Sequence, residues 1–344
     1  MKNSFIFSQC VINWYHFNGR KNLPWQINTN IYKVWISEIM LQQTQVKTVI
    51  PFFKNFIKKF PTLISLCKKN NLNKILFLWS GLGYYKRAEN IYKTTELIKK
   101  KFNNKFPNNY KEIIKFPGIG KSTAGAILSL SLNYFYPILD GNIKRILQRF
   151  YYIKNIKNIN SILWKKIYKL IPLHNSKKFN QAMMDIGYKI CTINKPKCKI
   201  CPINERCISY YKNNFLIKKK KKKNKIKKNL WFVFIYKKNF ILLKKNKKNL
   251  WKNLFFPLVF YSKKKFKNFI KKKKIKKKYI NKKKNKTIYH IVTKYKFYIH
   301  YFFIKINKKK TKKYINKKYI WFNTKKFKKV GLSKPIIKIL KKNF

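Results

Sequence analysis

Phe116-Pro117-Gly118-Ile119-Gly120-Lys121-Ser122-Thr123-Ala124-Gly125 stands between two segments of helical spacing, Tyr110 to Lys115 and Ala126 to Leu132. Gly118 and Gly120 therefore predict a tight turn joining two helices. With no Cβ in the way, backbone N–H groups there can face outward at the N-terminus of the second helix, where the helix dipole also favours an anion. A helix-hairpin-helix of this kind grips phosphate and reads no base sequence. Tight turns also use glycine for steric reasons alone, so the flanking sequence has to carry the functional reading.

Asp140 follows Gly120 by twenty residues, in Pro137-Ile138-Leu139-Asp140-Gly141-Asn142-Ile143-Lys144-Arg145. The apolar run before it and the helical spacing after it predict an N-cap, a position where the helix dipole would hold the carboxylate ionised. On the other side of the turn, IYKVWISEIMLQQTQV (residues 31–46) predicts one amphipathic helix with Glu38 on a stripe with Val34, Trp35 and Leu41. A carboxyl on that face is poorly hydrated, which raises its pKa towards that of a general acid at neutral pH. Gln42 would project beside it. Two carboxyls in opposite protonation states suit cleavage of a glycosidic bond, one protonating the leaving group and the other stabilising an oxocarbenium ion. Each residue also has an ordinary reading, Glu38 as a half-exposed helix acid and Asp140 as a structural cap.

Cys191-x6-Cys198-x2-Cys201-x5-Cys207 places four thiols within seventeen residues, interleaved with Lys195, Lys197 and Lys199. In a reducing compartment such a cluster predicts a metal site and not disulfides, and the spacing admits either zinc or a 4Fe-4S cluster.

The chain has 344 residues, enough for two domains, and sets 86 Lys and Arg against seven Asp and Glu. A formal charge of +79 suits a polyanionic partner such as nucleic acid. Lys, Asn, Ile, Phe and Tyr dominate everywhere, so AT-rich codons account for part of the excess and point to a bacterial genome. No apolar run of 18 residues free of charge occurs, and the N-terminus lacks the pattern of a signal peptide. A cytoplasmic, nucleoid-associated protein, monomeric and with no membrane contact, is the expectation. Residues 1–214 hold both carboxylate candidates, the cysteine loop 191–207 and eight of the nine glycines. Residues 215–229 read as a Lys-rich linker. In residues 230–344, the runs Leu230 to Tyr236 and Phe240 to Leu243 predict a hairpin and Ile299 to Ile306 a further strand, giving an α+β domain. No Asp or Glu follows Glu205, so that half cannot build a carboxylate-held Mg²⁺ site and reads as a recognition module.

The ordered set of acid-bearing helix, helix-hairpin-helix, Asp140 and cysteine loop resembles the helix-hairpin-helix DNA glycosylases that carry an iron-sulfur cluster, and among them the MutY-type adenine glycosylases. Leu23-Pro24-Trp25, Ser37 to Val46, Gly81-Leu82-Gly83-Tyr84-Tyr85, Ser122 to Ser131, Ile138 to Asn142 and Phe179 to Asp185 carry the likeness, which covers nearly all of residues 4–210. The resemblance implies a mainly α catalytic region, a six-helix barrel with an iron-sulfur cluster domain on Cys191, Cys198, Cys201 and Cys207, followed by a divergent Nudix-like domain. It implies excision of adenine opposite 8-oxoguanine or guanine in double-stranded DNA, with Glu38 protonating N7 and Asp140 stabilising the sugar cation. Asn142 and Ser122 would support the pocket, Gln42 and Tyr84 would fill the base stack, Arg20 and Trp25 would line the adenine pocket, and Gly118 and Gly120 would meet phosphate. Endonuclease III-like relatives place a Schiff-base lysine where this chain has Ser122, so the resemblance implies hydrolysis without efficient strand cleavage; Lys121 should point elsewhere, and Lys144 remains for weak Schiff-base chemistry. A Phe-Ser-His loop of the family aligns with Val292-Thr293-Lys294, where only the Thr293 hydroxyl survives. An endonuclease III-like glycosylase/lyase and a DNA-binding protein that has lost catalysis are the competing readings.

Overall fold

Asn30 starts the helix that carries Glu38, its side chain accepting from Lys33 N at 2.9 Å. That helix stops at Leu41, and Gln43 adopts a left-handed φ of 57°. The single helix expected over 31–46 is therefore two, because the left-handed residue ends the hydrogen-bond ladder before a new helix starts at Val46. The computed structural model describes residues 2–68, 71–154, 156–215, 224–247, 250–273, 275, 286–292, 294–306, 319–325 and 330–344. Its helices in chain order are α1 (Lys2–Asn18), α2 (Ile31–Leu41), α3 (Val46–Lys59), α4 (Leu63–Leu66), α5 (Leu72–Leu78), α6 (Lys86–Lys101), α7 (Tyr110–Ile113), α8 (Lys121–Leu132), α9 (Gly141–Phe150), α10 (Ile159–Leu170), α11 (Ser176–Lys189), α12 (Ile208–Tyr211), α13 (Lys263–Lys272) and α14 (Lys334–Asn343).

Two units emerge, Met1–Lys69 with Asn90–Lys220, and Asn70–Glu89 with Lys221–Phe344. In the first, α2 packs on α8 and α3, while α11 packs on α1, α8 and α9. Phe7, Val34, Ala126, Ile143, Phe179 and Met183 meet in one core, each large side chain contributing about 1.5–3 kcal/mol by leaving water. Tyr32, Val34, Trp35, Ile36, Ser37, Ile39 and Met40 are all buried, so α2 is enclosed on most of its circumference instead of showing one wet face.

The second unit is a mixed sheet of order β3-β2-β1-β6-β5, with β4 also on β1 and β7 also on β2. Its strands are β1 (Ile226–Lys237), β2 (Phe240–Lys245), β3 (Phe255–Phe256), β4 (Leu258–Phe260), β5 (Lys286–Val292), β6 (Tyr295–Lys305) and β7 (Tyr319–Asn323). The expected hairpin is present, turning at Lys238, which takes a φ of 48°. Parallel pairing of β1 with β6 sets Leu230 opposite Ile299, Phe232 opposite Tyr301 and Phe234 opposite Phe303. β1 begins at Ile226, inside the stretch expected to be linker, because Lys227 and Lys228 pair through their main chain and need no apolar side chain to do so. Residues 216–223 of that stretch lie outside the described residues. Residues 70–89 group with the sheet unit, although by sequence they sit within the expected catalytic region.

Arg20 ties the start of the first unit to α11. Its main-chain N donates to Asp185 Oδ2 at 2.7 Å, and its Nε donates to Oδ1 at 2.9 Å. The Asp185 side chain is wholly buried and also accepts from Gln181. Removing the cation would strand a buried carboxylate, so Arg20→Ala is expected to lower stability by about 3 kcal/mol in denaturant titrations, far more than an ordinary surface Arg.

Candidate active site

Glu38, Ser122 and Asp140 come from α2, α8 and the N-cap of α9. Burial pushes the Glu38 carboxyl up to about 7, and the neighbouring Asp140 charge adds to the shift. Asp140 Oδ1 accepts from the main-chain N of Asn142 at 3.0 Å and of Ile143 at 2.8 Å, and its Oδ2 accepts from Asn142 Nδ2 at 3.0 Å. Burial nevertheless moves the Asp140 carboxyl upward, while those bonds and the Arg145 charge pull it back. The upward direction corrects the reading from the cap position alone, in which the dipole dominated; desolvation of a carboxyl this enclosed is the larger effect.

The extended segment leading into Asp140 is held from both sides. Leu139 N donates to Ser122 Oγ at 3.1 Å, and Ile138 N donates to Asn180 Oδ1 at 3.1 Å. Asn180 is fully buried on α11 and donates onward to Ser129 Oγ and Tyr136 O. Arg145 donates to Asn142 Oδ1 at 2.9 Å and to Gly187 O, steadying the Asn142 amide that bonds Asp140. Sequence reasoning singled out neither Asn180 nor Arg145 as a site residue. The available signal was a buried-stripe position taken by a polar residue, as with Asn180 between Phe179 and Ala182.

At the turn, Gly118 has φ +83° and lies so close to Asn90 that a Cβ would sit 2.5 Å from its Nδ2. Gly120 is the N-cap of α8 with open space around it, so a phosphate can approach its backbone. Gln42 Nε2 donates to Gly118 O at 3.1 Å, linking the end of α2 to the hairpin. Lys121 Nζ lies 4.4 Å from the centre of the Trp164 ring and 5.3 Å from that of Tyr168. Lys144 Nζ donates to Asn160 Oδ1 at 2.7 Å on an exposed surface.

Other expected residues lie in different settings. Arg20 is bound to Asp185 as above and stacks over Tyr188 at 4.7 Å, which commits its guanidinium to the fold. Trp25 is buried with its edge against Phe53 at 5.4 Å. Tyr84 belongs to the sheet unit and is 49% exposed. Thr293 lies outside the described residues.

Cys191, Cys198, Cys201 and Cys207 line one apolar cavity with Ile146 and Phe150. Burial raises the thiols of Cys198 and Cys207 and pushes Cys201 up to about 12, with the neighbouring cysteines adding to each shift. Arg149 Nη1 reaches Cys191 Sγ at 3.4 Å. Arg145 and Arg149 are both buried, and among the described residues neither forms an ion pair with a carboxylate. Four sulfur donors beside two unpaired buried cations fit an anionic metal–thiolate group. Among the described residues no group of three or more His, Cys, Asp or Glu is arranged to hold a metal ion.

Residues 36–169 match the HhH-GPD superfamily base excision DNA repair protein family. The chain is 50% identical to an adenine DNA glycosylase of Buchnera aphidicola subsp. Schizaphis graminum (strain Sg), across 98% of both chains. This chain belongs to the adenine DNA glycosylase family. A homologous adenine DNA glycosylase of Homo sapiens is 32% identical over 58% of this chain and 39% of its own length. Among solved structures, a thermostable thymine-DNA glycosylase superposes with a TM-score of 0.57 at 25% identity, covering 61% of this chain and 98% of its own. An endonuclease III–DNA complex superposes at 0.53 with 20% identity, covering 62% and 96%, which establishes the shared helical fold. This chain is accordingly a base excision repair enzyme of that family, and its own elements form a helical part followed by an α+β domain. No helix among the described residues is long and apolar enough to cross a membrane.

Because Gly118 combines a left-handed φ with contact to Asn90, Gly118→Val is expected to cost about 2 kcal/mol of stability. It should also weaken binding to undamaged duplex, whereas Gly120→Ala, with open space at its Cβ, should retain native stability; denaturant titration and duplex binding check both.

Proposed function

We propose that the protein hydrolyses the N-glycosidic bond of adenine mispaired with 8-oxoguanine or guanine in duplex DNA, acting as a monomer. One observation carries the reading: a buried carboxyl that holds its proton to about pH 7 stands within electrostatic reach of a second carboxyl fixed by three donors. Enzymes that act on a base must take it out of the stack. With adenine in the pocket, Glu38 donates its proton to N7, the bond from the base to C1′ breaks, and the base leaves with the bonding electrons. Asp140 faces the positive charge that develops on the sugar, and water adds at C1′. Asn142, Ser122, Asn180 and Arg145 keep the Asp140 carboxylate and its preceding segment in place.

Ser122 Oγ is occupied as an acceptor and offers no amine, Lys121 lies over two aromatic rings, and Lys144 is engaged with Asn160. These positions favour hydrolysis over lyase chemistry. High-yield borohydride trapping of a covalent DNA adduct would instead support the endonuclease III-like reading. The intact carboxyl pair also argues against a protein that only binds DNA. For the opposite strand, a cleft of about 920 Å³ in the sheet unit, lined by Lys228, Lys244, Trp251, Tyr295 and Phe297, supports a role in recognising the mispair. Single-turnover adenine release opposite 8-oxoguanine, guanine and thymine tests it: equal rates with all three would remove mispair recognition from the proposal.

The donor set and the two buried arginines favour a 4Fe-4S cluster on Cys191, Cys198, Cys201 and Cys207. Such a cluster would supply a cross-link that closes residues 191–207 around one centre. Cys198→Ser is expected to reduce bound iron severalfold and to bleach the brown chromophore; a colourless, zinc-loaded wild-type protein would reverse the assignment.

A general acid must be protonated to act. With the Glu38 carboxyl at about 7, single-turnover adenine release should be flat in acid and fall roughly tenfold per pH unit above that value. Glu38→Gln should lose roughly a hundredfold or more and abolish that limb, and Asp140→Asn should lose a comparable factor and shift the limb to lower pH, because the Asp140 charge adds to the rise at Glu38. Wild-type rates in either variant would sink the mechanism.

A further inference from the structure

Tyr84 rides on a loop whose backbone is held in unusual conformations: Gly81, Tyr84 and Gly83 take φ of 101°, 48° and 85°. A tyrosine in the left-handed region persists only where its surroundings over-determine it. Part of that support is local, since Trp79 Nε1 and Arg87 Nη2 both donate to Gly83 O at 3.1 Å. The rest comes from the distant end of the chain. Tyr85 Oη accepts from Gly81 N at 3.1 Å and donates to Leu332 O at 3.0 Å. Leu332 N in turn donates to Ser80 Oγ at 3.0 Å. Both main-chain polar groups of the buried Leu332 are therefore taken by the Tyr84 loop.

The same downstream segment is anchored to the sheet. Gly331 O accepts from Phe255 N of β3 at 2.9 Å, and Leu332 forms a parallel bridge with Phe255. Gly331 has no room for a side chain, because a Cβ there would stand 2.8 Å from Leu76 Cβ and 2.9 Å from Leu254 Cδ2. A second tie runs from Asn253 Nδ2 to Glu89 Oε1 at 2.8 Å, with Glu89 buried at the start of α6.

We propose that Leu332, Tyr85, Asn253 and Glu89 are positioning residues through which the sheet unit holds Tyr84 ready to enter the base stack. The proposal rests on the reading of Tyr84 as a stack-filling residue and goes beyond it. The sheet domain would then act on adenine excision through two routes, by recognition of the opposite base and by bracing the inserting loop. Insertion works against base stacking, so a loop free to recoil would leave the stack closed even when the duplex is bound through its phosphates. The bracing bonds are main-chain or single side-chain bonds, so they can be cut one at a time without emptying the core.

The test uses the full chain and a duplex carrying an uncleavable 2′-fluorinated adenosine opposite guanine, with 2-aminopurine beside it to report unstacking by its fluorescence. Tyr85→Phe removes the hydroxyl that bridges Gly81 and Leu332. Asn253→Gly removes the tie to Glu89 while tolerating the φ of 65° found there. Asn253→Gly is expected to lower the unstacking equilibrium roughly fivefold, the factor one lost hydrogen bond commands, and Tyr85→Phe, which cuts two, by at least that factor; both should leave affinity for undamaged duplex within about twofold. Glu89→Gln retains the accepting oxygen and should keep the wild-type signal, whereas Glu89→Ala should match Asn253→Gly, and the pair together should be no worse than either. Tyr84→Ala is the reference and should abolish the signal. If it does while Tyr85→Phe and Asn253→Gly behave as wild type, the bracing role is overturned and the Tyr84 reading stands. If Tyr84→Ala leaves the signal intact, the premise fails and the proposal with it. A parallel loss of unstacking, undamaged-duplex affinity and thermal stability would reduce these residues to ordinary structural ones and overturn the proposal.

Discussion

The catalytic unit depends on how a carboxylate can be kept inside a protein at the head of a helix. Asp140 is enclosed, and an enclosed carboxylate without donors is costly enough to take up a proton or displace its segment. Two main-chain amides and the Asn142 side chain supply the donors, and these exist only because α9 begins there. Holding that start in place falls to Ser122 on α8 and Asn180 on α11, which accept from the main-chain N–H groups of the two preceding residues. Helices far apart in sequence are thus fixed relative to one another by the satisfaction of one acidic group.

Glu38 illustrates the opposite use of burial. Among the described residues no hydrogen bond to its carboxyl offsets desolvation, and its pKa rises accordingly. The two acids consequently differ because of their donors and not because of their depth. α2, enclosed on most sides, supplies the dry setting for one, and the α9 N-terminus supplies a preorganised polar setting for the other.

Acids are so scarce in this chain that their placement shows where charge matters. Asp185 neutralises Arg20 inside the helical unit, and Glu89 accepts from Asn253 inside the sheet unit. The great excess of lysine remains outside such pairs and adds little to stability, since surface ion pairs are worth little even when formed. Cohesion rests instead on aromatic and aliphatic packing, such as Phe7 edge-on to Phe150 at 4.8 Å and Phe234 stacked on Phe303 at 4.9 Å.

By itself the sequence determined the helix-hairpin-helix turn, the Asp140 cap, the cysteine loop and the first hairpin of the sheet, because each is written in residues a few positions apart whose backbone preferences are local. Gly118, Asp140 and Lys238 each mark a turn or cap that no distant contact has to specify. The raised Glu38 carboxyl was already legible in the apolar stripe around it, whereas tertiary structure alone decided the direction of the Asp140 shift, since desolvation there is set by the helices that close around the cap. It also decided the roles of Asn180 and Arg145 and the capture of residues 70–89 by the sheet unit. Those depend on partners such as Leu332, 247 residues from Tyr85, and a pairing over that distance leaves no periodicity or spacing in the chain to be read.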